Sequence, residues 1–229
     1  MKISSILIMA LAAGALGAQD APKLDQRIQV FAELTRPSQI TVATNPTLND
    51  QPSRQTGVGI RFQGEIASAP NWYYELGGMF DATSYFTLSG VLPDGVTTLD
   101  LTDAKFTDSY WSLGMAYLSK PNENLSLGAH LEGRGEYLRL QGGVAGTNFN
   151  PPVQLDHSTT YLRPWVRGSV DYTFTGVGSS AHPYLGLEGC LAVLKTSQTR
   201  VPDFTNLDDR TVKALAPKYS AAVYAGIRF

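Results

Sequence analysis

One stretch, Tyr219 to Phe229, alternates so strictly that few kinds of element can accommodate it. Tyr219, Ala221, Val223, Ala225, Ile227 and Phe229 fall on one side of a period-two pattern; Ser220, Ala222, Tyr224, Gly226 and Arg228 fall on the other. Successive side chains of a β-strand point to opposite faces, so this is a strand with one apolar face and one small or polar face. An open sheet in lipid would leave edge amides and carbonyls unpaired. A closed barrel pairs them all, with apolar side chains outward and polar ones in the lumen.

The same alternation recurs along the chain. Strands are predicted over Asp25–Arg36, Ser53–Ala67, Trp72–Phe86, Lys105–Ser119, Asn124–Leu140, Ser158–Phe174 and His182–Lys195. On the third, Trp72, Tyr74, Leu76 and Phe80 face one way, against Tyr73, Glu75, Met79 and Asp81. Pro164 removes a ladder donor inside the sixth, which predicts a bulge there. Connections alternate in length. Pro37–Pro52, Thr87–Ala104, Gln141–His157 and Thr196–Lys213 are long, whereas Ser68–Asn71, Lys120–Glu123 and Gly176–Ser180 are short. At the short-turn ends Trp72, Tyr74, Tyr117, Tyr172, Phe174 and Phe229 share the apolar parity, as an interfacial girdle requires. The expected fold is all-β: a transmembrane antiparallel up-and-down barrel of about eight strands, with long external loops and short periplasmic turns.

Hydrophobic residues make up 43% of the chain and charged ones only 17%, a balance that hidden alternation explains. A net charge of −2 excludes a broad nucleic-acid footprint. The single cysteine, Cys190, cannot staple the fold. Lys2, the apolar run Ile6–Leu16 and the small pair Ala15 and Gly17 read as a cleaved export signal over residues 1–17, leaving 18–229 as one barrel domain.

With the closing aromatic at Phe229, these features resemble the small eight-stranded outer-membrane β-barrel proteins, the OmpA-, OmpX- and OmpW-like barrels. The resemblance implies a bacterial outer-membrane location, contact with outer-membrane lipid and lipopolysaccharide, and a monomer. It also implies recognition by the barrel-assembly machinery through Tyr219, Val223, Ile227 and Phe229. A soluble lipocalin-type barrel would carry the opposite polarity, with charge outside and apolar residues within.

The inward face carries the candidate site. Arg61, Glu65, Glu75, Glu132, Arg134, Glu136, Arg163, Arg167, Asp171, Glu188 and Arg228 share it, joined by Arg27 and Glu33. An eight-stranded lumen is only a few side chains across, and buried charges there have to pair, so a plug of ion pairs is expected. Asp156-His157-Ser158 holds three triad residue types, but adjacent residues do not converge as a triad must. His130 and His182 lie at different levels, and Asp203, Asp208 and Asp209 lack ordered ligand spacing, so neither metal nor cofactor is expected. The functional expectation is a non-enzymatic membrane barrel with a structural or adhesin-like role, meeting an unidentified surface ligand through its external loops. The alternatives are a narrow OmpW-like transporter of small apolar molecules and a membrane-embedded lipid-modifying enzyme.

Overall fold

In a computed structural model, eight antiparallel strands close into a barrel in sequence order, β1 pairing with β8. The structure describes residues 24–38, 53–91, 98–146, 149–175, 181–193 and 209–229; the expected export signal lies outside them. The strands are β1 (Gln26–Thr35), β2 (Gln55–Ile66), β3 (Ala69–Val91), β4 (Thr98–Ser119), β5 (Leu125–Gly146), β6 (Phe149–Thr173), β7 (His182–Ala192) and β8 (Tyr219–Arg228). One short helix, α1 (Asp209–Ala214), precedes β8.

The wall alternates as the sequence demands. On β8 the inward Ser220, Ala222 and Tyr224 are buried, while Tyr219, Val223 and Ile227 stand out from the barrel, half exposed. Trp72, Tyr74, Tyr117, Tyr172, Phe174 and Phe229 are all exposed on the outer surface. Trp72 and Tyr117 meet edge to face at 5.5 Å, as do Tyr172 and Phe174 at 5.3 Å. A second aromatic group, Phe80, Trp111 and Tyr137, stands on the outside nearer the opposite end. Eight residues separate Trp72 from Phe80, about 26 Å along a strand, which suits an apolar band of roughly 25 Å. The chain is an all-β membrane barrel.

Two expectations about the connections are corrected. Thr87–Ala104 and Gln141–His157 were expected to be long loops, but most of both is strand. The β3–β4 ladder continues to Val91 and Thr98, and the β5–β6 ladder to Gly146 and Phe149. β3 to β6 therefore span 22 to 25 residues, against 10 to 12 for β1, β2, β7 and β8. The four long strands leave the barrel as one projecting sheet.

Two bulges interrupt that sheet, the first where it departs and the second farther out. Asp81 (φ 36°) interrupts β3 between Met79 and Ala82, and Asp103 (φ 50°) interrupts β4 between Thr102 and Lys105. Aspartate tolerates positive φ better than most residues, and the extra residue shifts the side-chain parity beyond it. Asp81, expected inward, is consequently exposed, and Ala82, Ser84 and Phe86 turn inward. At Pro164 no bulge forms: it pairs in register with Gly133. Its carbonyl accepts from Val193 N at 3.0 Å, so its missing N–H points to the side where β7 has already ended. The lost donor costs the sheet no interior rung.

The projecting sheet has its own core. Phe86, Ala104, Phe106, Leu138, Leu140 and Val144 line its inner face, each at most 4% exposed. Val212 of α1 and the following Leu215 and Ala216 cover them, with Leu155 and Tyr161 packed alongside. Ser38, just after β1, ties down this cover: its N–H donates to Leu215 O at 2.9 Å and its hydroxyl to Ala216 O at 2.8 Å.

Candidate functional site

Inside the barrel the charged side chains form three stacked groups. Nearest the short turns, Asp25 accepts from Lys120 Nζ at 2.8 Å, Tyr73 Oη at 2.7 Å and Arg228 Nε at 3.1 Å. Arg27 donates to Asp171 at 3.3 Å and lies between the Tyr73 and Tyr184 rings. Glu65 belongs to this rim and not to the lumen where the sequence put it. Its oxygens accept from the backbone N–H groups of Asp25 and Asn71, each at 3.1 Å, because the turn at Ala67–Ser68 brings the β2–β3 connection back across it.

The middle group centres on Arg167, which is fully buried. Its guanidinium donates to Glu75 at 2.6 Å and Glu188 at 3.0 Å, and Arg61 makes a two-point contact with Glu188 at 2.8 and 3.1 Å. His130 Nδ1 lies 2.9 Å from the Arg167 guanidinium and 3.0 Å from Glu75 Oε1, and Nε2 lies 2.8 Å from Ser169 Oγ.

Above it, Arg134 bridges Glu33 at 2.8 Å and Glu132 at 2.6 Å, sandwiched between the Tyr110 ring (4.1 Å) and the Trp165 ring (4.3 Å). Tyr110 Oη donates to the other oxygen of Glu33. Arg163 holds Glu136 through both nitrogens facing it, and Trp165 Nε1 donates to the same carboxylate at 2.7 Å. In water such pairs contribute little. Here each member is removed from solvent, so the loss of one partner strands the other.

Of the residues the sequence pointed to, Arg61, Glu75, Glu132, Arg134, Glu136, Arg163, Arg167 and Glu188 thus meet in the middle and upper groups. Asp171 and Arg228 take part nearer the turns, and Tyr219, Val223, Ile227 and Phe229 stand outside on the wall. Several contributors were not singled out. Asp108, Tyr110 and Trp165 share the inward parity of their strands, so extending the alternation by a few residues finds them. Asp25 opens the first predicted strand with the parity of Arg27 and Glu33, so the alternation marks it too; Lys120 lies in a turn, and no periodicity marks it.

Beyond the barrel the charges are exposed and the contacts weaker. Asp156 accepts from Arg139 at 2.8 and 2.6 Å on the outer face of the projecting sheet, and that hydrogen bonding holds its carboxyl below the usual range. His157 turns away from Asp156 and Ser158 to reach Asp209 of α1 at 3.0 Å, so the three adjacent residues form no triad. Hydrogen bonds from His157, Thr159 and Lys213 hold the Asp209 carboxyl low as well. No group of three His, Cys, Asp or Glu side chains converges on a metal position among the described residues.

No protein-family model and no curated protein matches the chain. Solved structures similar to it include the outer membrane protein OprG from Pseudomonas aeruginosa, at 13% identity over 93% of this chain and 99% of that one, with a TM-score of 0.49. Another is Ail, the attachment invasion locus protein of Yersinia pestis, in complex with the heparin analogue sucrose octasulfate, at 13% identity, 91% and 100% coverage and a TM-score of 0.44. A third is the outer membrane protease OmpT from Escherichia coli, at 11% identity, 94% and 99% coverage and a TM-score of 0.36. One of these similar structures being a protease, the expectation that the chain is not an enzyme is not upheld.

Proposed function

We propose that this outer-membrane barrel works by contact with molecules outside the cell, through the projecting β3–β6 sheet, while ion pairs plug the lumen beneath it. The projection itself carries the reading. Roughly ten residues of each long strand extend beyond the short ones, about 33 Å of sheet. A barrel needed only to span the bilayer has no use for them, and binding functions concentrate on segments held out from a rigid scaffold. The outer face there is mostly polar, with Thr83, Thr107, Arg139, Asp156 and Ser158 presented beside the exposed Tyr85 and Val153. The interior favours the plug because long, paired side chains from several strands occupy a lumen only a few side chains wide.

The test replaces 86–104 and 140–157 with two-residue Asn-Gly turns. Folded full-length and shortened chains are then compared for binding to surfaces coated with fibronectin, laminin or collagen, and to intact host cells. Retention by the full chain and loss on shortening is the expected result; equal behaviour of the two refutes the reading. Planar-bilayer recordings test the plug, for which no steady conductance is expected.

The apolar cluster of Phe86, Phe106, Leu138 and Leu140 at the outer mouth favours a second reading, the capture and passage of small apolar molecules. Liposome swelling with such solutes separates the two.

A further inference from the structure

Between the ion pairs and the apolar cover, five inward side chains on consecutive strands share a property. Ser220 of β8, Thr35 of β1, Gln55 of β2, Ser84 of β3 and Asp108 of β4 are each at most 6% exposed. Each holds buried polar atoms with no hydrogen-bond partner: Ser220 Oγ, Thr35 Oγ1, Gln55 Nε2 and Oε1, Ser84 Oγ and Asp108 Oδ1. Register brings them to neighbouring positions. Ser220 pairs with Thr35 and Thr35 with Gln55; Asp108 pairs with Ala82, one inward position before Ser84. Buried polar atoms are nearly always satisfied, so several orphans side by side call for an explanation.

Asp108 differs from every other buried carboxylate described. Asp25, Glu33, Glu75, Glu132, Glu136, Asp171 and Glu188 each have an Arg or Lys nitrogen within 4.0 Å. Asp108 has none among the described residues. The imbalance extends to the two groups below it, where the guanidinium groups of Arg61, Arg134, Arg163 and Arg167 face the carboxylates of Glu33, Glu75, Glu132, Glu136 and Glu188. With Asp108 added, four guanidinium groups stand against six carboxyl groups. A buried site short of positive charge attracts a cation.

The chemistry narrows which cation. Among the described residues Asp108 belongs to no group of three His, Cys, Asp or Glu side chains, so a metal ion is poorly served. Three buried acceptors without partners lie on three adjacent strands: a carboxylate oxygen, a hydroxyl and a carboxamide oxygen, the complement of the three N–H donors of a primary ammonium. Apolar surface borders them directly. Leu138 is the cross-strand partner of Asp108 and Phe106 that of Ser84, and both belong to the cluster covered by Val212, Leu215 and Ala216.

We propose that this level of the barrel binds a small primary ammonium ion. Its head is held by Asp108, Ser84 and Gln55, and its carbon body lies against Phe106 and Leu138. The cover over it hangs on Ser38 and the short α1 segment, which is where such a ligand enters.

The test uses the full chain folded in detergent micelles and n-butylammonium chloride as the probe, followed by isothermal titration calorimetry at pH 7. n-Butanol and tetramethylammonium chloride serve as comparisons: the first lacks the charge, the second the N–H donors. Saturable heat is expected for butylammonium alone, weakened at least tenfold by Asp108→Asn, several-fold by Ser84→Ala, and unchanged by Glu123→Gln in the exposed β4–β5 turn. Heat-modifiable migration on gels verifies that each variant is a closed barrel. Should Asp108→Asn fail to close, Ser84→Ala, which leaves the charge in place, decides the matter. Absence of saturable butylammonium binding overturns the proposal, as do equal binding of butanol or tetramethylammonium and undiminished binding by the closed variants.

Discussion

Arg163 offers the most direct measure of what the buried ion pairs contribute. Its Nε and Nη2 meet Glu136 at 2.8 to 3.1 Å, and both side chains are 2% exposed. Among the described residues no other cation lies within ion-pair distance of Glu136. Arg163→Met keeps the volume and removes the charge, leaving a carboxylate with Trp165 Nε1 as its remaining strong donor. Stranding one member of a buried pair costs about 3–5 kcal/mol. With a urea slope of about 2 kcal/mol/M, the unfolding midpoint in lipid vesicles falls by roughly 2 M. Glu136→Leu strands Arg163 in the same way and incurs a similar loss. In the double variant no charge is left unpaired, and the remaining cost is the orphaned Trp165 N–H, about 1–3 kcal/mol. The double variant is therefore expected to be more stable than either single one, although independent sites would sum to about 6–10 kcal/mol. Losses in the double variant that equal that sum would refute the coupling, and with it the view that pairing holds the lumen together.

Three further outcomes are expected. Leu187→Arg places a charge on the outer wall in register with Val170 and Val223 and should cost about 2–4 kcal/mol near the bilayer midplane; the same vesicle assay, with inward Ser126→Asn as its counterpart, checks which face meets lipid. Gly226→Ala would set a Cβ 2.5 Å from both Ile28 O and the Tyr184 ring, so overpacking of about 1–3 kcal/mol or failure of β8 to close on β1 is expected, read as loss of heat-modifiable barrel. The docking of α1 is expected to depend on pH through Asp209. Its folded pKa is depressed, so the contribution is complete above the ordinary carboxylate range and is lost as pH falls through the folded value. Protection against hydrogen exchange in 212–216 should therefore fall as the pH drops below the ordinary carboxylate range, a loss that Asp209→Asn abolishes.

The wall was legible because lipid enforces alternation. From Leu125 to Tyr137, and from Tyr219 to Ile227, each outward position answers to the same solvent, and the pattern can be read without knowing the partner strands. The inward charges were legible for the complementary reason. What the sequence hides is pairing across the lumen. Arg27 and Asp171 are 144 residues apart, Arg61 and Glu188 127, and no local spacing reports either contact. The projecting sheet was hidden by its bulges. Asp81 and Asp103 shift the parity: Thr98 to Thr102 alternate on their own, but across Asp103 they fall out of phase with 104–108, so the two stretches do not read as one strand. Glu65 shows the limit of parity from the other side. It faces inward in sequence, yet at the end of β2 the backbone donors of the rim claim it.

One reversal organises the molecule. On the barrel wall the outward residues are apolar and the inward ones polar; on the projecting sheet the outward residues are polar and the inward ones apolar. The exchange occurs at matching places on four strands: after Phe80 on β3, between Trp111 and Ser109 on β4, after Tyr137 on β5, and between Leu162 and Thr160 on β6. Lipid and water explain it. Where acyl chains surround the wall, apolar side chains pack outward and the lumen can hold charge, because paired charges there are shielded from lipid by the wall. Once the strands pass the headgroups, water covers the outer face, and an antiparallel sheet wet on one side is stable only if it buries the other. The second half of a sandwich is missing here, so α1 and the Leu215–Ala216 segment supply the cover. The level of the exchange is also the level of Ser84, Asp108 and Gln55, where neither rule applies fully: too far out to join the ion pairs, too polar for the apolar core. Orphaned polar atoms also occur on the paired arginines below, but those of Ser84, Asp108 and Gln55 lie at a seam that belongs to neither solvent, and a seam of that kind is where a ligand with a charged head and an apolar body fits.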